Sequence, residues 1–344
     1  MRKVLIIISA FILLAGSSLW AQAQAPPAAP LTEKEVIAGL KSKTPERVIG
    51  LVSERGVDFD LTPEIEKRLR KAKADDALID IIRKAGPTAR AEAAKQGGAA
   101  TGPKITPEEY QALRPIQNEL DPDKAIQMVA DFEKKFPNSS MLTWVYAFAA
   151  NAYQQKNDIQ NAVLYAEKSI KMKDDNVATL LMLASRIPSP QFLRAHEEDK
   201  EKYLNEAETC AQRALKLLPD PAVVPKQPNE SDAQYAKRKD AAASEAHASL
   251  GMVHLQRSRM GLVGIDKGEL ATSEKEYQQA VTMTDQPAAE DYFRLGEAYS
   301  LDGKVDEAIE AFTKASDLGL KTYADQRIEE LKKRKAQAKP PAKP

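Results

Sequence analysis

Histidine is the side chain here best suited to metal binding or acid–base catalysis, because imidazole titrates near neutral pH. The chain has three: His196, His247 and His254. The last two are seven residues apart, about two helical turns, so they cannot chelate one ion without further ligands. His196 lies in an acidic stretch with no cysteine or second histidine nearby. We therefore predict no metal site, and packing roles for His247 and His254.

Two loops approach ligand-binding motifs but have the wrong spacing. "GLVGIDKG", from Gly261, has two residues between its first glycines and no Lys-Ser or Lys-Thr pair, whereas a phosphate loop has four residues and that pair. "DPDKAIQMVADF", from Asp121, has Ile126 where a calcium loop needs glycine and Phe132 where it needs glutamate. We predict a long hairpin turn for the first loop and a helix N-cap at Asp121 for the second.

The sequence also lacks motifs typical of a catalytic nucleophile or a cofactor-binding site. Cys210 is the only cysteine, so no intrachain disulfide can form, and its alanine-rich helical surroundings predict burial as a small apolar residue. The sequence contains no G-x-S-x-G, no H-E-x-x-H and no dinucleotide fingerprint. We predict no catalytic residue, no cofactor and no enzymatic activity. An enzyme subunit with its site in the insertions or the N-terminal module remains an alternative.

Composition indicates the fold class. Residues 105–320 contain 35 acidic and 25 basic residues, a formal charge of −10, whereas 321–344 contain 8 basic and 3 acidic, a charge of +5. A nucleic-acid-binding domain would concentrate positive charge on a folded face, so we predict no nucleic-acid partner. Glycine is scarce, and alanine, glutamate, lysine, leucine and glutamine dominate the long segments. These residues favour helices, so we predict an all-α protein.

The N-terminus has the features of a secretory signal. Two basic residues precede an apolar run, Val4–Ala15, and Ala21-Gln22-Ala23 matches a cleavage site. We predict a signal peptide over 1–23 and a periplasmic or secreted protein, with a bacterial envelope as its setting. An uncleaved N-terminal helix is the alternative, because Val4–Trp20 approaches the shortest span of a membrane; it would be the only membrane contact.

Helix signals then define a small module. A Pro/Ala leader over 24–30 precedes 31–86, where Thr32-x-x-Glu35 has the form of a capping box and Thr62 precedes a proline. Gly56 and Gly86 fall where helices should stop, which predicts about four short helices. The segment "GVDFDLTPEIEKRLRKAKADDALIDIIRKAG" resembles a small helical module of multidomain bacterial proteins, and this resemblance implies a domain boundary rather than a function. An Ala/Gly linker follows over 87–104.

The stretch "DYFRLGEAYSLDGKVDEAIEAFTKASDLGL", 291–320, alternates small and large residues in a definite order. In a 34-residue frame, Gly296 and Ala308 take positions 8 and 20, and Phe312 takes position 24. The small residues let paired helices approach closely while the large ones fill the spaces between them. The stretch therefore resembles a tetratricopeptide repeat.

Earlier segments match the same frame less well. Their matching residues are Gly251 with Tyr277 and Ala280; Leu183 and Ala184 with Ala207, Ala211 and Ala214; Tyr146, Tyr153 and Ala162; and Ala125 with Pro137. We predict a right-handed superhelical solenoid of about five helical hairpins with insertions over 105–320, preceded by the small four-helix module. A capping helix follows over 321–336, and a disordered basic Pro-rich tail over 337–344.

The resemblance implies a non-catalytic scaffold that binds a protein or peptide in the cell envelope, because the first helices of such hairpins line a continuous surface. Family positions 2, 5, 9 and 12 place the following residues in the groove: Trp144, Ala147, Asn151 and Gln154; Glu245, Ala248, Met252 and Leu255; Glu290, Phe293, Glu297 and Ser300. Ala147 replaces the lysine with which some members grip a carboxylate, so that ligand is not implied. An envelope-anchored assembly factor is the alternative.

Overall fold

The computed structural model describes residues 29–42, 45–89, 105–227, 230–261 and 264–338, and in these ranges regular structure is helical. The all-α prediction is confirmed. The signal peptide over 1–23, most of the leader, linker residues 90–104 and the last six residues lie outside the described ranges. The described residues up to Ala152 form one compact unit and those from Tyr153 form a second. No helix within the described ranges is long and apolar enough to cross a membrane.

The first unit begins with four short helices: α1 (Glu33–Ser42), α2 (Pro45–Arg55), α3 (Pro63–Lys71) and α4 (Asp76–Ala85). The Thr32 Oγ1 atom accepts from the Glu35 amide at 3.2 Å while the Glu35 carboxylate accepts from the Thr32 amide at 2.8 Å, so the capping box forms. Thr62 caps α3 through the Ile65 amide. Branched aliphatic side chains, among them Leu69 and Ile82, form a closed core.

Three further helices follow: α5 (Pro107–Asn118), α6 (Pro122–Lys135) and α7 (Leu142–Gln155). Asp121 accepts from the amides of Asp123 and Lys124 and so caps α6, as the sequence predicts. Thr106 and Glu109 form a second capping box at the start of α5. The chain therefore encodes its helix starts locally, through short side chains that accept the free amides of the first turn.

The second unit consists mainly of helix pairs, and in one pair a short helix is inserted between the two members. Its helices are α8 (Ile159–Met172), α9 (Val177–Arg186), α10 (Pro190–Ala195), α11 (Lys200–Leu217), α12 (Asp232–Ser258), α13 (Lys267–Met283), α14 (Ala289–Asp302), α15 (Val305–Ala315) and α16 (Lys321–Ala338). Helix α12 is 27 residues long, and its first turns are formed by a polar stretch of the sequence that begins at Asp232. The predicted cap is α16, which packs Ala324, Ile328 and Leu331 against the last hairpin.

The same kind of contact, between a glycine and an aromatic ring, occurs in two hairpins. A Cβ added at Gly251 of α12 would lie 2.7 Å from the Tyr277 ring of α13, and one added at Gly296 of α14 would lie 2.9 Å from the Phe312 ring of α15. Both aromatic side chains are fully buried. The absence of a side chain at these glycines therefore lets each pair of helices close on a ring, which is the packing that the 34-residue frame predicts.

Candidate partner-binding face

Helices α9, α12 and α14 are each the first helix of a hairpin in the second unit. Each packs on its own second helix, which is α11, α13 or α15, and α12 also contacts both α9 and α14. The three first helices therefore lie side by side and line one face of this unit, with the second helices behind them.

The predicted groove residues are divided between the two units. Trp144 and Asn151 lie on α7 in the first unit, whereas Gln154, Met252 and Glu297 lie in the second. All five are partly exposed. Met252 is on α12 and Glu297 on α14, so these two share the face of first helices.

Two of the residues at positions carried over from the family are engaged in packing within the unit. Leu255 has no exposed surface and belongs to the core with Leu270 and Tyr277, so the expectation that it faces a partner is wrong. Phe293 is half-buried, with its ring edge against Phe312 at a centroid distance of 5.1 Å. Phe293 therefore contributes to packing of the last hairpin as well as to the surface.

Ion pairs connect the C-terminal end of α12 to α14. Glu297 accepts from Arg294 at 2.5 Å, one helical turn earlier, and lies 3.8 Å from the guanidinium of Arg259. The Tyr277 ring is buried between these helices, and burial raises the pKa of its hydroxyl well above the usual value. The carboxylate of Glu297 is thus already neutralised by two arginines.

The middle of the same face is different, because Arg186, Glu245 and Asp291 form no ion pair with any described residue. Burial raises the pKa of Asp291 to about 7, and the neighbouring carboxylates of Glu290 and Glu245 add to the rise. Burial also raises the pKa of Glu245, against the opposing effect of Arg186, and lowers the pKa of Arg186. Glu245, Asp291 and Arg186 nevertheless keep part of their surface exposed. Burial therefore governs the pKa of these side chains even though each of them is partly exposed.

The histidines of α12 lie on its other side, toward α13. His247 Nδ1 lies 2.6 Å from the Glu276 carboxylate, and His254 Nδ1 lies 2.6 Å from that of Glu269. Each histidine thus joins the two helices of one hairpin, consistent with the predicted packing role. No group of three or more histidine, cysteine or acidic side chains suited to a metal occurs in the described part of the chain. Cys210 is buried, as predicted, and burial raises its pKa to about 12.

Sequence reasoning missed Arg186, Asp291 and Arg294 as residues of this face. Asp291 and Arg294 take frame positions 3 and 6, next to the positions carried over from the family, and Arg186 is the last residue of α9. A signal was present, because α14 carries four charged residues within about two turns, at 290, 291, 294 and 297. The sequence could not show which of these charges would find a partner.

Comparison with known proteins supports the repeat assignment. Residues 289–318 match the model of the tetratricopeptide repeat, which confirms the predicted last repeat, α14–α15. Residues 111–220 match the model of the MAP3K TRAFs-binding domain. The chain is similar to the crystal structure of a thermophilic TPR protein of Thermus thermophilus, with 17% identity, 67% of this chain and 98% of that chain covered, and a TM-score of 0.38. No curated protein matches.

Proposed function

We propose that this chain is an exported, non-catalytic scaffold that binds a protein or peptide on the face lined by α9, α12 and α14. The observation that carries the proposal is the arrangement of these first helices. They lie side by side in one unit, and Glu245, Asp291 and Arg186 on them are partly exposed and lack ion-pair partners in the described ranges. Continuous faces of this kind are how stacked helical hairpins bind extended segments.

The tetratricopeptide match at 289–318 supports a role in protein interaction. The sequence of the first 23 residues supports export, with cleavage after Ala23. Intact-mass measurement of the protein recovered from its native envelope tests export, because cleavage there leaves Gln24 as the first residue. A mass that retains the first 23 residues would contradict it.

A capture experiment tests the binding role. The full chain is immobilised and exposed to an envelope extract, and retained proteins are compared between two triple variants. The first, Met252→Ala, Glu290→Ala and Glu297→Ala, removes predicted groove side chains of α12 and α14. The matched control, Leu164→Ala, Met172→Ala and Met283→Ala, removes exposed apolar side chains of the second helices.

We expect the groove variant to lose a retained protein that the control keeps, with both variants showing wild-type circular dichroism. Loss of an anchoring side chain weakens binding by about 2 kcal/mol at a central position. Equal retention by the two variants would show that the first helices are not the binding face.

A further inference from the structure

The C-terminal end of α16 is a basic helical segment that extends beyond the packed part of the helix. Leu331 is the last buried residue among those described, and it lies against the last hairpin. The helix continues to Ala338, and the side chains of 332–337 are all exposed. Four bases follow one another here, and we call them the basic end: Lys332, Lys333, Arg334 and Lys335.

The basic end carries more positive charge than the helix terminus accounts for. The helix dipole favours cations in the last turn, but the last turn of α16 holds only one base, Lys335. The other three bases lie before that turn. Residues 331–344 contain six bases and no acidic residue, whereas 105–320 have a formal charge of −10. Positive charge is therefore concentrated at one end of an otherwise acidic region.

Two of the four bases have carboxylate partners on the surface. Lys335 pairs with Asp306 in the first turn of α15, and Lys332 lies 3.4 Å from Glu329, one turn earlier on α16. All four of these side chains are largely exposed. Ion pairs between exposed side chains contribute little free energy, so a second anionic partner can compete for these bases.

The other two bases lie on the outer side of α16. Successive helical residues are about 100° apart, so Lys333 points about 160° away from Lys335, which faces α15. Neither Lys333 nor Arg334 forms an ion pair within the described ranges, and the charge of Arg334 reaches Glu330 only at longer range. The outer side of the basic end is therefore positively charged and exposed to solvent.

We propose that the basic end binds the surface of a lipid bilayer that contains anionic phospholipids, with Lys333 and Arg334 toward the headgroups. Clusters of about four to eight lysine and arginine residues on a helix bind such surfaces, and each base near the surface strengthens binding about fivefold. The contact does not depend on the proposed partner-binding face. It is also separate from the membrane contact predicted for an uncleaved N-terminal segment.

The composition of the basic end favours a lipid surface over a folded partner. After Leu331 the sequence contains no apolar side chain larger than alanine or proline. A protein interface needs an apolar or aromatic anchor that is buried on binding, and single-stranded nucleic acid is held by aromatic side chains on which its bases stack. An anionic bilayer surface needs neither, because it attracts the bases by charge alone.

Co-sedimentation with large vesicles measures this contact. The full chain is mixed with vesicles of phosphatidylcholine, either alone or with one quarter of the lipid replaced by phosphatidylglycerol, in about 0.1 M NaCl. We expect the partition coefficient to be at least about tenfold higher for the anionic vesicles, the effect of two bases at the surface. In about 1 M NaCl the Debye length falls to about 3 Å, and the difference should disappear.

A triple variant, Lys332→Gln with Lys333→Gln and Arg334→Gln, removes three bases and keeps residues that favour a helix. Lys335 is retained so that its ion pair with Asp306 persists. We expect partition into anionic vesicles to fall at least about tenfold, close to the level on neutral vesicles. The variant is required to show the circular dichroism and melting temperature of the wild type, as expected for exposed side chains.

A matched control removes the same charge from exposed positions on three other helices: Lys67→Gln, Lys216→Gln and Lys275→Gln. This control should keep the preference of the wild type for anionic vesicles. The apolar run Val4–Ala15 is present in all three proteins, so its own affinity for lipid cancels in the comparison.

Several results would overturn the proposal. They are equal partition of the wild type into both kinds of vesicle, a preference that the triple variant keeps, and a preference that the matched control also loses. If duplex DNA displaces the protein from anionic vesicles at equal phosphate concentration, the basic end serves a nucleic acid instead. A dimer that the triple variant dissociates would assign the basic end to a second copy. None of these results affects the scaffold, which the capture experiment tests separately.

Discussion

Near its start, α12 carries Arg238, whose side chain is only 7% exposed and which binds Glu230, 9% exposed, at 2.8 Å and the Pro225 carbonyl at 3.0 Å. Two turns further along, the same helix carries Glu245, which has no ion-pair partner in the described ranges. The first charge is paired and fastens the loop before α12 to the helix. The second is partly exposed and forms no ion pair with a described residue.

The difference separates a buried charge that is paired within the fold from partly buried charges that are not. A partly buried charge with a bidentate partner offsets part of the cost of its desolvation, and the hydrogen bonds from Arg238 accordingly lower the pKa of Glu230 to about 2. A charge without a partner does not recover that cost, so burial raises the pKa of Asp291. Unpaired buried charges therefore weaken a fold, and functional sites are where such groups concentrate.

Removing Glu230, the ion-pair partner of Arg238, should have the largest effect on stability. Glu230→Ala removes the carboxylate that pairs with the buried Arg238 guanidinium, and we expect the free energy of unfolding to fall by about 3–5 kcal/mol at pH 7. Because the pKa of Glu230 is lowered in the folded state, its stabilisation is present above about pH 4.5 and is lost as the pH falls toward 2. Urea melts at pH 7 and pH 3 measure this. A loss that is equal at both pH values would contradict the pairing.

Removing an unpaired charge should have the opposite sign. The pKa of Asp291 rises from 3.8 to about 7 on folding, so the wild type loses stability as the pH increases from about 4 to 7 and then levels off. Asp291→Asn keeps the side-chain shape but cannot ionise, so this variant does not lose stability over that pH range. At about 1.4 kcal/mol for each pKa unit, reduced for local relaxation, we expect a gain of about 2–4 kcal/mol at pH 8 that vanishes near pH 4.

Urea melts of wild type and Asp291→Asn at pH 4, 6 and 8 test this sign. The control Asp306→Asn removes a carboxylate that pairs with Lys335 on the surface, where removal should give little change. A destabilised Asp291→Asn at pH 8 would mean that Asp291 has a stabilising partner, and it would remove the contrast with Glu230.

Replacing glycine by alanine should change stability in opposite directions at two positions, one in each unit. Gly251→Ala adds a methyl group 2.7 Å from the Tyr277 ring, and we expect the overpacked hairpin to lose about 1–3 kcal/mol. Gly50→Ala, in α2, adds the same group where no atom lies within 4 Å, and we expect it to gain about 0.5–1 kcal/mol from helix propensity. Thermal melts of the two variants suffice. Stabilisation by Gly251→Ala would show that the helices do not close on the ring.

Much of the fold follows from the sequence because its determinants are local or periodic. Thr32, Thr62 and Asp121 cap their helices as predicted, since a side chain needs only its own first turn to accept an amide. Gly296 and Phe312 meet because the 34-residue frame places them on facing sides of one hairpin. The superhelical hand, the domain boundaries and the groove stay predictions.

The candidate site depends on contacts that no local pattern contains. Leu255 takes a groove position in the frame but is buried, and Glu297 takes another but is neutralised by Arg294 and Arg259. The sequence by itself determined helices, caps and hairpin register, because these depend on neighbours within one or two turns or one repeat. Only the tertiary structure decided which charges pair and which remain unpaired, because desolvation and ion pairing depend on side chains brought together from α9, α12 and α14.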